Sequence, residues 1–168
     1  NPGQAIPSAS RHYGVAETLQ GLKGVALITS TTILSEVGDL TRFKNPRQLM
    51  AYAGLVPSES SSGNIIKRGS ITKSGNSHLR KIIVEAAWHY QHRPTLSIGL
   101  KKRQEELSEE IKQISWKAQH RLNLKFRRMV AKGKPSQKAV IGVARELLGF
   151  IWAVGQAVGK ENELSEAV

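Results

Sequence analysis

Apolar positions in this chain recur mostly at the three-to-four residue spacing of helices. From Ala26 to Val37 the residues Ala26, Leu27, Ser30, Ile33, Leu34 and Val37 share one helical face, and Gly38-Asp39 stops the run. A shorter helical fragment, Val15 to Leu19, precedes it across Gly21-Leu22-Lys23-Gly24-Val25-Ala26. Helix, glycine-bracketed turn, helix is the pattern of a helix-hairpin-helix. Asn45 followed by Pro46 reads as an N-cap and first helical position for a short helix with Leu49, Met50 and Tyr52, ending at Gly54. Phe43, Leu49 and Tyr52 read as core. Asn76 then caps the clearest helix, whose Leu79, Ile82, Ile83, Ala86, Ala87 and Tyr90 form one stripe, closed by Arg93-Pro94. Residues 96–130 read as a further helical segment, where Leu107, Ile111, Ile114 and Ala118 make a short coiled-coil-like seam. After Gly133-Lys134-Pro135, Ser136 is expected to cap a last helix, apolar over most of its circumference to Val158 and central to the core. The fold class expected is all-α.

The helical pattern lapses between Gly54 and Asn76. Ser58, Ser60, Ser61 and Ser62 lead to Gly63, and β-forming Ile65 and Ile66 after Gly63-Asn64 suggest a short two-stranded hairpin. Lys67, Arg68, Lys73, Arg80 and Lys81 follow, and no acidic residue stands between Glu59 and Glu85. The whole chain carries the same bias, 25 Lys and Arg against 13 Asp and Glu, a formal charge of +12 in 168 residues. Such an excess calls for a polyanionic partner, most economically nucleic acid. The absence of cysteine excludes disulfides and thiolate metal sites. No apolar run approaches the roughly 18 residues of a membrane span, and the start does not resemble a signal peptide. A cytoplasmic location without membrane contact is expected. Residues 1–18 read as a lead-in from a preceding domain, 19–158 as the domain proper with 96–130 inside it, and 159–168 as a flexible tail.

Three places invite phosphate chemistry. The glycine turn around Gly24 could turn backbone N–H groups toward a phosphate, or simply join two helices. An anion near Asn76 to Arg80 would offset Arg80 and Lys81 at a helix start, where cations oppose the dipole. The serine stretch could present a nucleophile to a phosphodiester, with Lys67, Arg68, Lys73 and Arg80 offsetting charge on the phosphate oxygens, or could pass over phosphates passively. The carboxylates Glu105, Glu106, Glu109 and Glu110 read as a solvated helix face. His89 and His92 lack a third ligand. No phosphate-binding P-loop and no nucleophile elbow is present.

The blocks GLKGVALITSTTILSEVGDLTRFKNPRQLMAYAGLVPSESSSG, ITKSGNSHLRKIIVEAAW and KGKPSQKAVIGVARELLGFIWA resemble, in that order, the C-terminal transposase domain of the insertion-sequence family numbered 110, also called the 116/110/902 type. Lys23-Gly24-Val25-Ala26 departs from the Gly-x-Gly-Pro type of turn usual there. The resemblance implies a DNA recombinase in which a coiled coil joins this domain to an N-terminal RNase-H-like domain with four magnesium-binding carboxylates. No cofactor is expected within this chain; Mg2+ belongs to that other domain. The partners implied are DNA, a structured guide RNA in some members, and further copies of the full-length protein. The family's attacking serine stands just before the glycine of Pro-x-x-x-x-Ser-Gly, here Ser62, with Ser60 and Ser61 as neighbours one slip away. Lys67, Arg68, Lys73, Asn76, Arg80, Lys81 and Gly24 are the expected nucleic-acid contacts. The alternative is a non-catalytic helical module for nucleic-acid binding or oligomerisation.

Overall fold

The computed structural model describes residues 8–62, 65–71 and 75–167, with side chains for 14–56 and 75–167. Seven α-helices and one two-stranded hairpin account for most of them. They are α1 (Ser8–Leu19), α2 (Leu27–Val37), α3 (Pro46–Tyr52), β1 (Pro57–Ser62), β2 (Ile65–Ile71), α4 (Ser77–Ala87), α5 (Ile98–Gln104), α6 (Glu109–Ala131) and α7 (Ser136–Glu166). The class is all-α, with the antiparallel hairpin as its single excursion among the described residues.

The long helix α7 is the axis of the molecule. Its Val140, Val143, Ala144, Leu147, Leu148, Ile151 and Val154 are buried, and α1, α3, α4 and α6 pack around it. By length and hydropathy it could cross a bilayer, yet half of its most apolar window is covered by its neighbours, as befits a core helix. It begins one residue earlier than expected, with Pro135 at the N-cap and no side-chain cap from Ser136. It also continues through Glu166, so most of the stretch read as a tail is helical. Lys160, Glu161, Glu163 and Leu164 favour helix, and no proline interrupts them. At the other end, α1 starts at Ser8, inside the stretch read as lead-in, and places Ala16 and Leu19 in the core.

The 96–130 segment is two helices. Ser108 accepts from the Ile111 N–H as N-cap of α6, with Glu109 and Glu110 in the first turn where the helix dipole favours acids. Leu107 falls in the turn between α5 and α6. The seam residues Ile111 and Ala118 are buried with Leu122 in the common core, and α6 packs along α7. The expected coiled-coil stripe is therefore occupied within the chain. Buried amides fasten the junctions: Gln104 donates to the Gly21 carbonyl at 2.8 Å and to Ser115 Oγ at 3.1 Å, and Asn123 donates to the His92 carbonyl at 2.9 Å. Glu105, Glu106, Glu109 and Glu110 are exposed, as a solvated face requires.

Candidate nucleic-acid interface

Three helices meet at the root of the hairpin. Asn45 Oδ1 accepts from the Gln48 N–H and starts α3, with Pro46 at its first position. The helix brings Tyr52 against Phe43, ring centroids 5.6 Å apart, with the Arg42 guanidinium over both rings at 4.2 and 5.0 Å. The Tyr52 hydroxyl donates to the Glu36 carbonyl at 2.7 Å, tying α3 to the end of α2. After the hairpin the chain returns through Gly75, and the Asn76 N–H donates to the Tyr52 carbonyl at 2.8 Å. Asn76 Oδ1 accepts from the Leu79 N–H as cap of α4. Its amide nitrogen donates to Glu36 Oε2 at 2.7 Å, while Glu36 Oε1 meets His78 Nδ1 at 2.6 Å.

The anion expected at the start of α4 is thus supplied by the chain itself. Glu36 stands 40 residues before Asn76, and its carboxylate sits at the positive end of that helix. The hydrogen bond from Asn76, then that from His78, hold its carboxyl below the usual range, against the opposing effect of desolvation. A carboxyl lowered in this way stabilises the fold above its unfolded-state pKa, and that contribution is lost as pH falls through the folded value. Glu36→Gln is expected to lower the melting temperature at neutral pH and to flatten its decline on acidification. Melting curves across the carboxylate range check both; equal acid limbs in variant and parent would refute the assignment.

The hairpin rises from this root. Its register pairs Pro57 with Ile71, Glu59 with Arg68, Ser60 with Lys67, Ser61 with Ile66 and Ser62 with Ile65, with an irregularity between Pro57 and Glu59. The hairpin expected around Gly63-Asn64 is present in the paired strands, while Gly63, Asn64 and Lys73 themselves lie outside the described residues. Ser62 occupies the last pair before the turn. At about 3.3 Å per strand residue, its backbone stands roughly 16 Å from Pro57. Lys67 and Arg68 lie on β2 opposite Ser60 and Glu59. Arg80 donates from Nη1 to the Ala53 carbonyl at 3.3 Å, and Lys81 is exposed on α4. The remaining expected contact, Gly24, is in the α1–α2 turn, at the far end of α4 from the hairpin root.

Glu36, the only acid on α2, and the Tyr52 hydroxyl, on a residue that the sequence marks as core, carry little sign of this role in their own neighbourhoods. No local signal links residues so far apart in the chain. A usable hint was the lone carboxylate in an otherwise apolar and hydroxylated helix. Elsewhere, Arg121 and Lys125 share Glu146 at 3.2 and 3.6 Å. Arg127, Arg128, Lys132 and Lys134, beyond that pair, are exposed at the end of α6. No group of three His, Cys, Asp or Glu among the described residues is placed to hold a metal ion.

A helical body with a serine-bearing arm and uncompensated positive charge suits a protein that handles nucleic acid, and similarity to known proteins narrows the class. The model of the Transposase IS116/IS110/IS902 family matches residues 16–98, and the chain carries a domain of that transposase family. It is 48% identical over 148 residues to "Putative transposase y4qE" of Sinorhizobium fredii, covering 86% of this chain and 38% of that protein. It is 38% identical over 71 residues to the transposase for insertion sequence element IS1111A of Coxiella burnetii, 42% of this chain and 20% of that protein. With the transposase for IS1328 of Yersinia enterocolitica it shares 31% over 78 residues, 46% and 23% of the two chains. The chain therefore spans well under half the length of these relatives.

Proposed function

We propose that this chain is the serine-bearing part of an insertion-sequence DNA recombinase, acting on DNA in the prokaryotic cytoplasm at the nucleoid. The observation that carries the reading is the position of Ser62, at the last paired residue of an arm anchored by three helices. An arm of this kind can carry a hydroxyl out from the helices to a phosphodiester. In the step assigned to it, the Ser62 oxygen forms a bond to phosphorus and the bond from phosphorus to a deoxyribose oxygen breaks. The serine proton is lost, and the departing sugar oxygen gains one. Attack by a sugar hydroxyl on the phosphoserine link reverses the chemistry and joins the new strands. Lys67, Arg68, Lys73, Arg80 and Lys81 are assigned to the phosphate oxygens, whereas Asn76 acts on the arm from below, through Glu36 and the α4 cap.

Mg2+ and its four carboxylates are assigned to another part of the full-length protein. The donor set among the described residues does not fit such a site, and no step here is routed through a metal. A structured guide RNA and assembly of several copies belong to the same reading. The isolated chain is then expected to bind nucleic acid in a salt-sensitive manner without recombining it.

The deciding experiment traps the covalent intermediate. Full-length protein with its element's DNA, quenched by denaturant and digested with nuclease and protease, should yield a nucleotide-bearing peptide that contains Ser62. A reaction that exchanges strands with no adduct on any residue of the arm would overturn the reading. It would leave the passive nucleic-acid module as the better description.

A further inference from the structure

At the end of α4 opposite the hairpin root, about 15 Å along its 11 residues, the α1–α2 turn and α5 border an open cavity of about 290 Å³. Its lining includes Lys23, Gly24, Ala26, His89, Leu100 and Arg103. The fold builds this place with some care. Gly24 has φ +81°, and a Cβ there would stand 2.7 Å from the Ala86 carbonyl, so the turn sits hard against the end of α4. The buried Tyr90 hydroxyl donates to the Lys23 carbonyl at 2.7 Å, and burial pushes its phenol up, so it stays a neutral donor. Arg103 Nε donates to the Gln20 carbonyl at 2.7 Å, and Lys23 Nζ to the Arg93 carbonyl at 3.3 Å.

The cations of this cavity are thus fastened by neutral carbonyls. Among the described residues none of them has a carboxylate partner. Burial lowers the pKa of both Lys23 and Arg103. That of His89 is lowered first by burial and then by repulsion from Lys23, His92 and Arg103. Such a group of like charges is relieved by an anion. The first turn of α2 adds to it, for Ala26 as N-cap offers no side chain to the following N–H groups. The lining holds no Phe, Tyr or Trp on which a base could stack. The chemistry fits a phosphate.

We propose that this cavity is a backbone-phosphate subsite, in which Lys23, His89 and Arg103 hold a nucleic-acid strand at the end of α4 away from the serine arm. The proposal rests on the nucleic-acid reading above and adds a second, separate point of attachment to it. It also gives the departure at Lys23 a purpose, since it sets a cation in the lining of the cavity.

The test uses the 168-residue chain, a short DNA duplex and inorganic phosphate. Lys23→Gln removes the charge but keeps a donor for the Arg93 carbonyl. It is expected to reduce the slope of log affinity against log salt by about 0.9, the value for one phosphate left without its cation. In the parent protein, DNA should shift the His89 ring resonances and raise the pH of its titration, an effect that needs no substitution. If DNA binds with an unchanged slope in Lys23→Gln and unmoved His89 resonances, the subsite is refuted while the nucleic-acid reading stands. If the parent binds no DNA at any salt, that reading falls and takes the subsite with it. If inorganic phosphate fills the cavity and DNA does not compete, the subsite is again refuted, as a site for free anions only.

Discussion

Ser62→Ala in the full-length protein should reduce strand exchange to the background rate while leaving DNA affinity little changed. Alanine lacks the oxygen that would bond to phosphorus, so the covalent intermediate cannot form. Direct attack by water would cleave the strand without conserving the bond needed for rejoining. Replacing Lys67 and Arg68 by glutamine should have the complementary effect. Binding weakens and its salt slope falls by about 0.9 for each phosphate that is no longer neutralised. Ser60→Ala and Ser61→Ala serve as neighbours with the same side-chain truncation and should retain exchange. Exchange assays with adduct detection across the three variants separate the possibilities. Full activity of Ser62→Ala would remove the nucleophile from this position, and inactivation confined to Ser61→Ala would move it by one residue.

The second large effect concerns the scaffold. Gly75 returns the chain from the hairpin to α4 with φ +98°, and a Cβ there would stand 2.5 Å from the Tyr52 carbonyl oxygen and 3.1 Å from that of Ala51. Both neighbours are backbone atoms, so no flexible side chain can yield. A left-handed residue with a Cβ costs about 1–2 kcal/mol, and forcing the oxygens apart about 1–3 more. Gly75→Ala is therefore expected to destabilise the chain by about 3 kcal/mol, a fall in melting temperature of roughly 6–12 °C at this size. Because the strain falls on the bond from Asn76 to Tyr52, faster hydrogen exchange at the Asn76 amide should accompany it. A variant that melts with the parent would show that the return path is not constrained as described.

Much of the helical framework was legible because its signals are local. Asn45-Pro46 and Asn76 state their caps within three residues, and the stripe from Leu79 to Tyr90 repeats often enough to define a buried face. The division of 96–130 was also written locally, as Ser108 followed by Glu109 and Glu110. The seam through Leu107 and Ile111 ran across it, because a turn can carry an apolar residue at the right spacing and still pack it. Helix ends were missed where composition misleads. The turns of α1 ahead of the Val15–Leu19 fragment look like lead-in after Pro7, and the polar run beyond Gly159 looks frayed although each residue tolerates a helix. The Glu36 knot was illegible for a different reason. Its members come from α2, α3 and α4, and only the packing of those helices makes them neighbours. The same holds for the cavity at Lys23, whose Arg103 lies 80 residues further along the chain.

The knot beneath the arm has a consequence for how such proteins diversify. Glu36, Tyr52 and Asn76 fix the two ends of the hairpin, and none of these bonds sets its length. Residues added or removed in pairs on both strands would alter the arm's reach and keep each remaining residue on its original side of the ribbon. Related elements could in this way fit nucleic-acid assemblies of different girth on one unchanged helical base.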